Sequence, residues 1–157
     1  MSSSGKTKSA TPKLKKAHVV VIRTEWNAAI VDELFAGCRK ILESGKIEWR
    51  DYRVPGAIEI PFAIKKCWDQ AGKKKPDAFI ALGCVIQGDT PHFEFVCRSV
   101  TDGITALNLH LPVPVIFGVL TVHTEEQAKQ RIGGIHGHKG EEAADAALKM
   151  ISFSRSL

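Results

Sequence analysis

Gly83-Cys84-Val85-Ile86-Gln87-Gly88-Asp89-Thr90-Pro91-His92-Phe93-Glu94 decides how this chain is read. An apolar run over 78–86 ends abruptly in Gly-Asp-Thr-Pro, and a helical pattern then starts with a histidine in its first turn. The segment reads as a strand, a tight turn and a helix N-terminus. Backbone N–H groups at a helix start have no intrahelical partner. Together with the helix dipole they make an anion site. Glycine lets the backbone approach a phosphate closely, so Gly88, Asp89 and Thr90 are the candidate phosphate loop. Asp89 carries the wrong charge for that task and is expected to cap the helix or point away. Pro91 at the first helical position makes Thr90 the expected N-cap. His92 beside the loop is a candidate proton carrier; a capped helix with a surface histidine is the plainer alternative.

The same alternation of apolar strand and amphipathic helix repeats on both sides of this unit. Strands are expected over 18–22, 47–54, 78–86 and 115–120. Helices are expected over 28–44, 58–71, 91–110, 124–132 and 141–154, with a glycine-rich loop over 133–140. Ile30, Leu34, Cys38, Ile41 and Leu42 share one face of the first helix. Thr124-Glu125-Glu126-Gln127 has the form of a capping box. The alternating strand over 47–54 belongs nearer an edge. The order β-α-β-α-β-α-β-α-α predicts an α/β fold, a parallel sheet with helices on both faces and right-handed crossovers.

In such sheets ligands bind beyond the carboxyl ends of the strands. That rule selects a rim: Arg23 to Asn27 after the first strand, Gly56 to Glu59 after the second, Gln87 to His92 after the third, and Thr121 to His123 after the fourth. Trp26 is placed to stack on a flat ring, or equally to pack into the core as a helix-start residue. Glu59 can accept hydrogen bonds from hydroxyls, or simply complement the dipole of the next helix. Arg131 offers a forked partner for a phosphate, against a plain role at a helix C-terminus. Lys139, in the glycine-rich loop, is a further cation within reach of an anion.

Composition excludes several classes. At 157 residues, with 44% hydrophobic and 25% charged residues, the chain is expected to form one globular domain. The net charge of +5 is concentrated at the start, where Lys6, Lys8, Lys13, Lys15 and Lys16 occur with no acid. Residues 1–14 are expected to be a flexible basic tail and 15–157 the folded domain. The tail lacks the apolar core of a signal peptide, and no run is long enough to span a membrane. A cytoplasmic protein is expected, with no membrane partner. No nucleic-acid partner is expected either, because nothing behind the basic tail reads as a groove-reading or base-stacking module. Cys38, Cys67, Cys84 and Cys97 form no C-x-x-C pair and read as free thiols in a reducing compartment. His136-Gly137-His138 is too sparse a ligand set for a metal site, so none is expected. Neither G-x-G-x-x-G nor G-x-x-x-x-G-K-[ST] occurs in the nucleotide-binding context.

Several spaced motifs together resemble lumazine synthase, the penultimate enzyme of riboflavin biosynthesis. They are the Trp26-Asn27 turn, Val54-Pro55-Gly56-Ala57-Ile58-Glu59-Ile60-Pro61, the Gly83–Phe93 stretch, Pro114-Val115-Ile116-Phe117-Gly118, and Arg131 through Lys139-Gly140. The resemblance covers nearly everything but the leader. It implies a three-layer α/β/α fold around a four-stranded, flavodoxin-like parallel sheet. It also implies a cofactor-independent transferase that condenses 5-amino-6-ribitylaminouracil with 3,4-dihydroxy-2-butanone 4-phosphate.

Carried over by position, His92 transfers protons. Trp26 stacks on the pyrimidine, where the family commonly has phenylalanine. Asn27, Gly56, Ala57, Ile58, Glu59 and Ile60 hold the ring and ribityl chain, and Cys84, Val85 and Ile86 line the pyrimidine edge. Phe117 comes from a neighbouring subunit and closes the ring slot. Gly88, Asp89, Thr90, Arg131 and Lys139 hold the phosphate. Gln87 stands where many relatives have arginine or lysine, which leaves Arg131 as the main cation and implies weaker phosphate binding at high salt.

The resemblance also implies a homo-oligomer with sites between subunits, a pentamer or a sixty-chain icosahedral shell of twelve pentamers. The short stretch from Arg131 to Gly140 favours the shell. Riboflavin synthase is a further implied partner. Two alternatives remain open at this stage: an idle flavin or lumazine binder on the same fold, and an FMN-holding electron carrier. The carrier would normally place its phosphate loop after the first strand, where Arg23-Thr24-Glu25-Trp26 offers none.

Overall fold

Val19 and Val21 face one side of the first strand and Val20 and Ile22 the other, and both sets are buried. Only a sheet covered on both faces buries consecutive apolar residues in this way. The computed structural model describes residues 9–157 and contains that arrangement. A four-stranded parallel sheet has the order β2-β1-β3-β4, formed by β1 (His18–Thr24), β2 (Glu48–Val54), β3 (Ala78–Ile86) and β4 (Val115–Val122).

On one face lie α1 (Ala28–Ser44) and α5 (Lys139–Ser156), whose buried residues pack with Val19, Val21, Ile80 and Leu82. On the other lie α2 (Ile60–Gln70) and α3 (His92–His110), packed with Val20, Ile22, Phe79 and Ala81. The result is the parallel sheet with helices on both faces that the residue pattern predicts, and the flavodoxin-like three-layer α/β/α arrangement that the resemblance implies. β2 is indeed an edge strand, with none of its seven residues fully buried.

Four local expectations need correction. The stretch over 133–140 is a hairpin of β5 (Ile132–Gly134) and β6 (Gly137–His138) rather than a loop. Gly133 and Gly137 have φ of 110° and 77°, which β-carbon-bearing residues rarely adopt, and this permits the tight reversal. The fourth helix, α4 (Glu125–Lys129), is shorter than expected because the chain turns into β5. The last helix starts at Lys139, where the His138 ring accepts the Glu141 N–H at 3.4 Å as its cap. The second helix begins with a 3₁₀ turn, Ala57–Glu59, before Ile60.

Residues 1–8 of the expected tail lie outside the described residues. Within 9–14, the Thr11 hydroxyl donates to Asp145 at 2.5 Å and Leu14 packs against the core. Among the described residues, no helix is long and apolar enough to cross a membrane.

Candidate active site

The turn after β1 is built around Asn27, whose φ of 56° and ψ of 41° place it in the left-handed region that asparagine tolerates. Its side-chain amide donates to the Cys84 carbonyl at 2.8 Å and ties the turn to β3. The N–H groups of Glu25 and Trp26 donate to the carbonyls of Val54 and Pro55 at 2.8 and 3.1 Å. The ends of β1, β2 and β3 are thus locked together, and Trp26 is pushed outward with 66% of its surface exposed. Its indole lies directly on Gly56. Glu59 reaches back to accept the Gly56 N–H at 3.0 Å, which holds its carboxylate beside the indole. Trp26, Asn27, Gly56 and Glu59 therefore converge at the carboxyl ends of the strands.

The other residues expected there divide by burial. Ala57 and Cys84 are nearly enclosed and Ile60 fully so. Val85 and Ile86 are half-buried, and Ile58 is exposed. Burial first, and then the charge of Glu125, push the Cys84 thiol up to about 11, so it is neutral near pH 7.

The loop after β3 has the features of an anion cradle. Gln87 is anchored through its N–H to the Val122 carbonyl at 2.9 Å. The backbone N–H groups of Gly88, Asp89 and Thr90 have no acceptor among the described residues. The expected cap needs correction: α3 begins at His92, so Pro91 and not Thr90 is the N-cap and no side chain caps the helix, although Thr90 Oγ1 accepts the His92 N–H at 3.4 Å from just outside it. Asp89 is exposed, and its side chain caps no helix among the described residues. The His92 ring is exposed and carries no hydrogen bond among the described residues.

Phe117, Arg131 and Lys139 occupy a different place. They line one open groove of about 450 Å³ along the free edge of β4. Arg131 is steadied there by its Nη1 donating to the Gln127 carbonyl at 2.7 Å. Lys139 is paired with Glu142 at 2.9 and 3.1 Å. The sequence does not reveal that these three travel together, because the β5–β6 hairpin returns the chain to β4. A larger cavity of about 490 Å³, lined by His18, Glu48, Lys66 and Pro76, lies at the opposite end of the strands and is remote from the rim. Among the described residues no cluster of three or more His, Cys, Asp or Glu side chains is arranged to hold a metal.

His123 was placed on the rim but given no role. Its Nδ1 donates to Gln87 Oε1 and its ring lies 6.0 Å from that of Phe93. The residue next to a candidate catalytic histidine and the root of the anion loop thus meet at one imidazole.

Comparison with known proteins shows the family. The sequence profile of 6,7-dimethyl-8-ribityllumazine synthase matches residues 16–155. The protein of that name from Parabacteroides distasonis is 43% identical over 148 residues, covering 92% of this chain and 91% of its own. That from Bdellovibrio bacteriovorus is 45% identical over 143 residues, covering 90% and 78%. That from Cytophaga hutchinsonii is 44% identical over 144 residues, covering 90% and 89%. With the profile spanning nearly the whole chain and the fold matching the expected one, this chain belongs to the 6,7-dimethyl-8-ribityllumazine synthase family.

Proposed function

We propose that the protein condenses 5-amino-6-ribitylaminouracil with 3,4-dihydroxy-2-butanone 4-phosphate to give 6,7-dimethyl-8-ribityllumazine, releasing phosphate and water. The observation that carries this reading is one rim holding an exposed indole on Gly56, a fixed carboxylate at Glu59, and a cradle of free N–H groups ending in His92.

Trp26 stacks on the pyrimidine. Asn27 fixes the turn, and the rim over 56–60 receives the ribityl chain, with Glu59 accepting its hydroxyls. Ile60 is enclosed, so it contributes through backbone and packing. Cys84, Val85 and Ile86 form the pyrimidine edge. Gly88, Asp89 and Thr90 offer backbone donors to the phosphate.

Phe117 and Arg131 serve the rim of a neighbouring copy. They share one groove with Lys139, so the copy that supplies Phe117 supplies the cation as well. Lys139 acts mainly through Glu142, which it pairs, and sets the charge of that groove. A pentamer follows as the smallest assembly of the family with such shared sites, and the short β5–β6 hairpin favours its association into a sixty-chain shell. Light scattering on the purified protein separates the two.

The chemistry needs positioning more than strong catalytic groups. The arylamine and ketone form an imine with loss of water. Phosphate then leaves, and the ribityl nitrogen attacks the remaining carbonyl and closes the ring with loss of a second water. Each step moves a proton between partners held face to face. Orientation alone supplies on the order of 7–11 kcal/mol at best. His92 shuttles the protons. No cofactor is required by this sequence of steps. The free thiols Cys38, Cys67, Cys84 and Cys97 fit a cytoplasmic setting. Riboflavin synthase, which consumes the product, is the further partner this reading carries. Mixing the two substrates with purified protein and following lumazine fluorescence is the test. Absence of product from folded, assembled protein overturns the reading.

A further inference from the structure

His123 stands at the end of β4, where the chain leaves the sheet for α4. Its surroundings are unusually connected for an exposed side chain. The ring Nδ1 is hydrogen-bonded to Gln87 Oε1, an oxygen that can only accept, so the contact calls for a proton on Nδ1. Gln87 itself is anchored to the strand end by its N–H on the Val122 carbonyl at 2.9 Å. On the other side, the His123 backbone N–H donates to Gln127 Oε1 at 2.8 Å. Gln127 is in turn fixed by its N–H on Thr124 Oγ1 at 3.2 Å, and its carbonyl accepts from Arg131 Nη1 at 2.7 Å.

The expected capping box is therefore half re-routed. The Thr124 hydroxyl caps Gln127 as the pattern requires, but the Gln127 side chain reaches past Thr124 to His123. The ring of His123 also leans on Phe93 with centroids 6.0 Å apart and planes at 41°. Phe93 directly follows His92 in the first turn of α3.

We propose that His123 is a positioning residue for the phosphate-bearing substrate: it holds Gln87 and Phe93, and through them the Gly88–Thr90 loop and the start of α3. This rests on the proposed function of the same rim. The physical need is plain. The loop offers three backbone N–H groups and no side-chain cation of its own, with an aspartate among them. Backbone donors bind an anion only when their directions are held fixed, because each disordered rotation dilutes the aligned state. Gln87 contributes no charge, but as a neutral acceptor it can be pinned by an imidazole N–H. His123 thus replaces attraction by rigidity.

The experiment compares wild type with His123→Ala, His123→Asn, Gln87→Ala and the double variant Gln87→Ala/His123→Ala. Asparagine places an amide N–H near the position of Nδ1–H. His123→Ala is expected to raise KM for the phosphate substrate roughly two- to tenfold, the worth of one hydrogen bond, and to leave KM for the pyrimidine unchanged. His123→Asn is expected to restore most of the loss. Adding Gln87→Ala to His123→Ala is expected to cost little more, since both remove the same contact.

Equal increases in both KM values overturn the proposal, as do additive effects of the two alanine changes. So does a folded His123→Asn variant no better than His123→Ala. Inorganic phosphate titrated into the same proteins gives a readout without turnover. Weaker phosphate binding in His123→Ala than in wild type supports the role even if no lumazine forms, in which case only the proposed reaction falls. Equal binding, or none by wild type, overturns it.

Discussion

The indole of Trp26 rests on the α-carbon of Gly56, so closely that a β-carbon there would lie 2.5 Å from Cε3 and 2.6 Å from Cζ3. Gly56 has φ −140° and ψ −175°, an extended conformation open to any residue, so glycine is required by this contact and not by the backbone. Gly56→Ala is expected to displace the indole with little loss of fold stability. A lost aromatic stack of about 0.5–1.5 kcal/mol corresponds to a rise of roughly two- to tenfold in KM for the pyrimidine substrate. Steady-state kinetics check this, and an unchanged KM refutes the assigned stack.

His92 follows a loop with free donors, and its exposed ring makes no hydrogen bond among the described residues. A single acid–base group contributes typically about 10²–10⁴-fold. His92→Ala is therefore expected to lower kcat within that range and leave measurable lumazine formation, since positioning remains. Complete inactivity in folded, assembled protein contradicts a mechanism carried mainly by orientation.

Arg131 is fixed by the Gln127 carbonyl, which aims the guanidinium instead of leaving it free. Arg131→Ala is expected to raise KM for the phosphate substrate by roughly ten- to a hundredfold, the worth of a hydrogen bond to a charged group, with a smaller change in kcat. Arg131→Lys recovers part of this, because a point charge lacks the planar fork. The wild-type KM is expected to rise with ionic strength, and the Arg131→Ala variant to respond less. Kinetics at low and high salt separate these outcomes.

The fold was legible because burial on both faces imposes continuous apolar strands, and Val19 to Ile22 and Ala78 to Leu82 carry that pattern without interruption. The rim was legible because chain order alone assigns strand ends to one edge of a parallel sheet. What escaped the sequence depends on contacts between distant segments. Gly133 to His138 has no alternation, so its hairpin is set by two positive-φ glycines and by pairing too short to leave a periodic signal. His138 caps α5, a task usually given to a short polar side chain, so the helix start was placed two residues late. His123 stood on the rim, but its meeting with Gln87 spans 36 positions and has no local signature.

Gly140 tests the packing of α5 on α1. A β-carbon on Gly140 would lie 1.9 Å from the Leu34 carbonyl oxygen, which belongs to the backbone of α1 and cannot rotate away. Replacing a helical glycine by alanine ordinarily stabilises by about 0.5–1 kcal/mol. Here the sign reverses: Gly140→Ala is expected to cost about 1–3 kcal/mol, as overpacking does. At about 2–4 °C per kcal/mol for a chain of this size, the melting temperature falls measurably. A rise in Tm contradicts the close approach of the two helices.

The cysteines give a prediction in pH. Burial pushes the Cys38 thiol from 9.0 up to about 12, and burial with the Glu125 charge pushes Cys84 up to about 11. Both folded-state values are raised, so below pH 9 each thiol keeps its proton whether the chain is folded or not, and stability does not depend on it. Above pH 9 the unfolded chain releases these protons first. Stability is then expected to fall as pH rises from 9 through about 11 for Cys84 and on toward about 12 for Cys38. Replacing Cys38 by alanine removes part of that slope at the cost of a cavity, whereas Cys38→Ser retains the volume and removes the titration. Thiol-labelling at neutral pH gives a second check, since the thiolate is the reactive form. Cys67 and Cys97, the less buried pair, are expected to react first, and Cys38 and Cys84 only on unfolding. Early labelling of Cys38 in native protein contradicts its enclosure between α1 and the sheet.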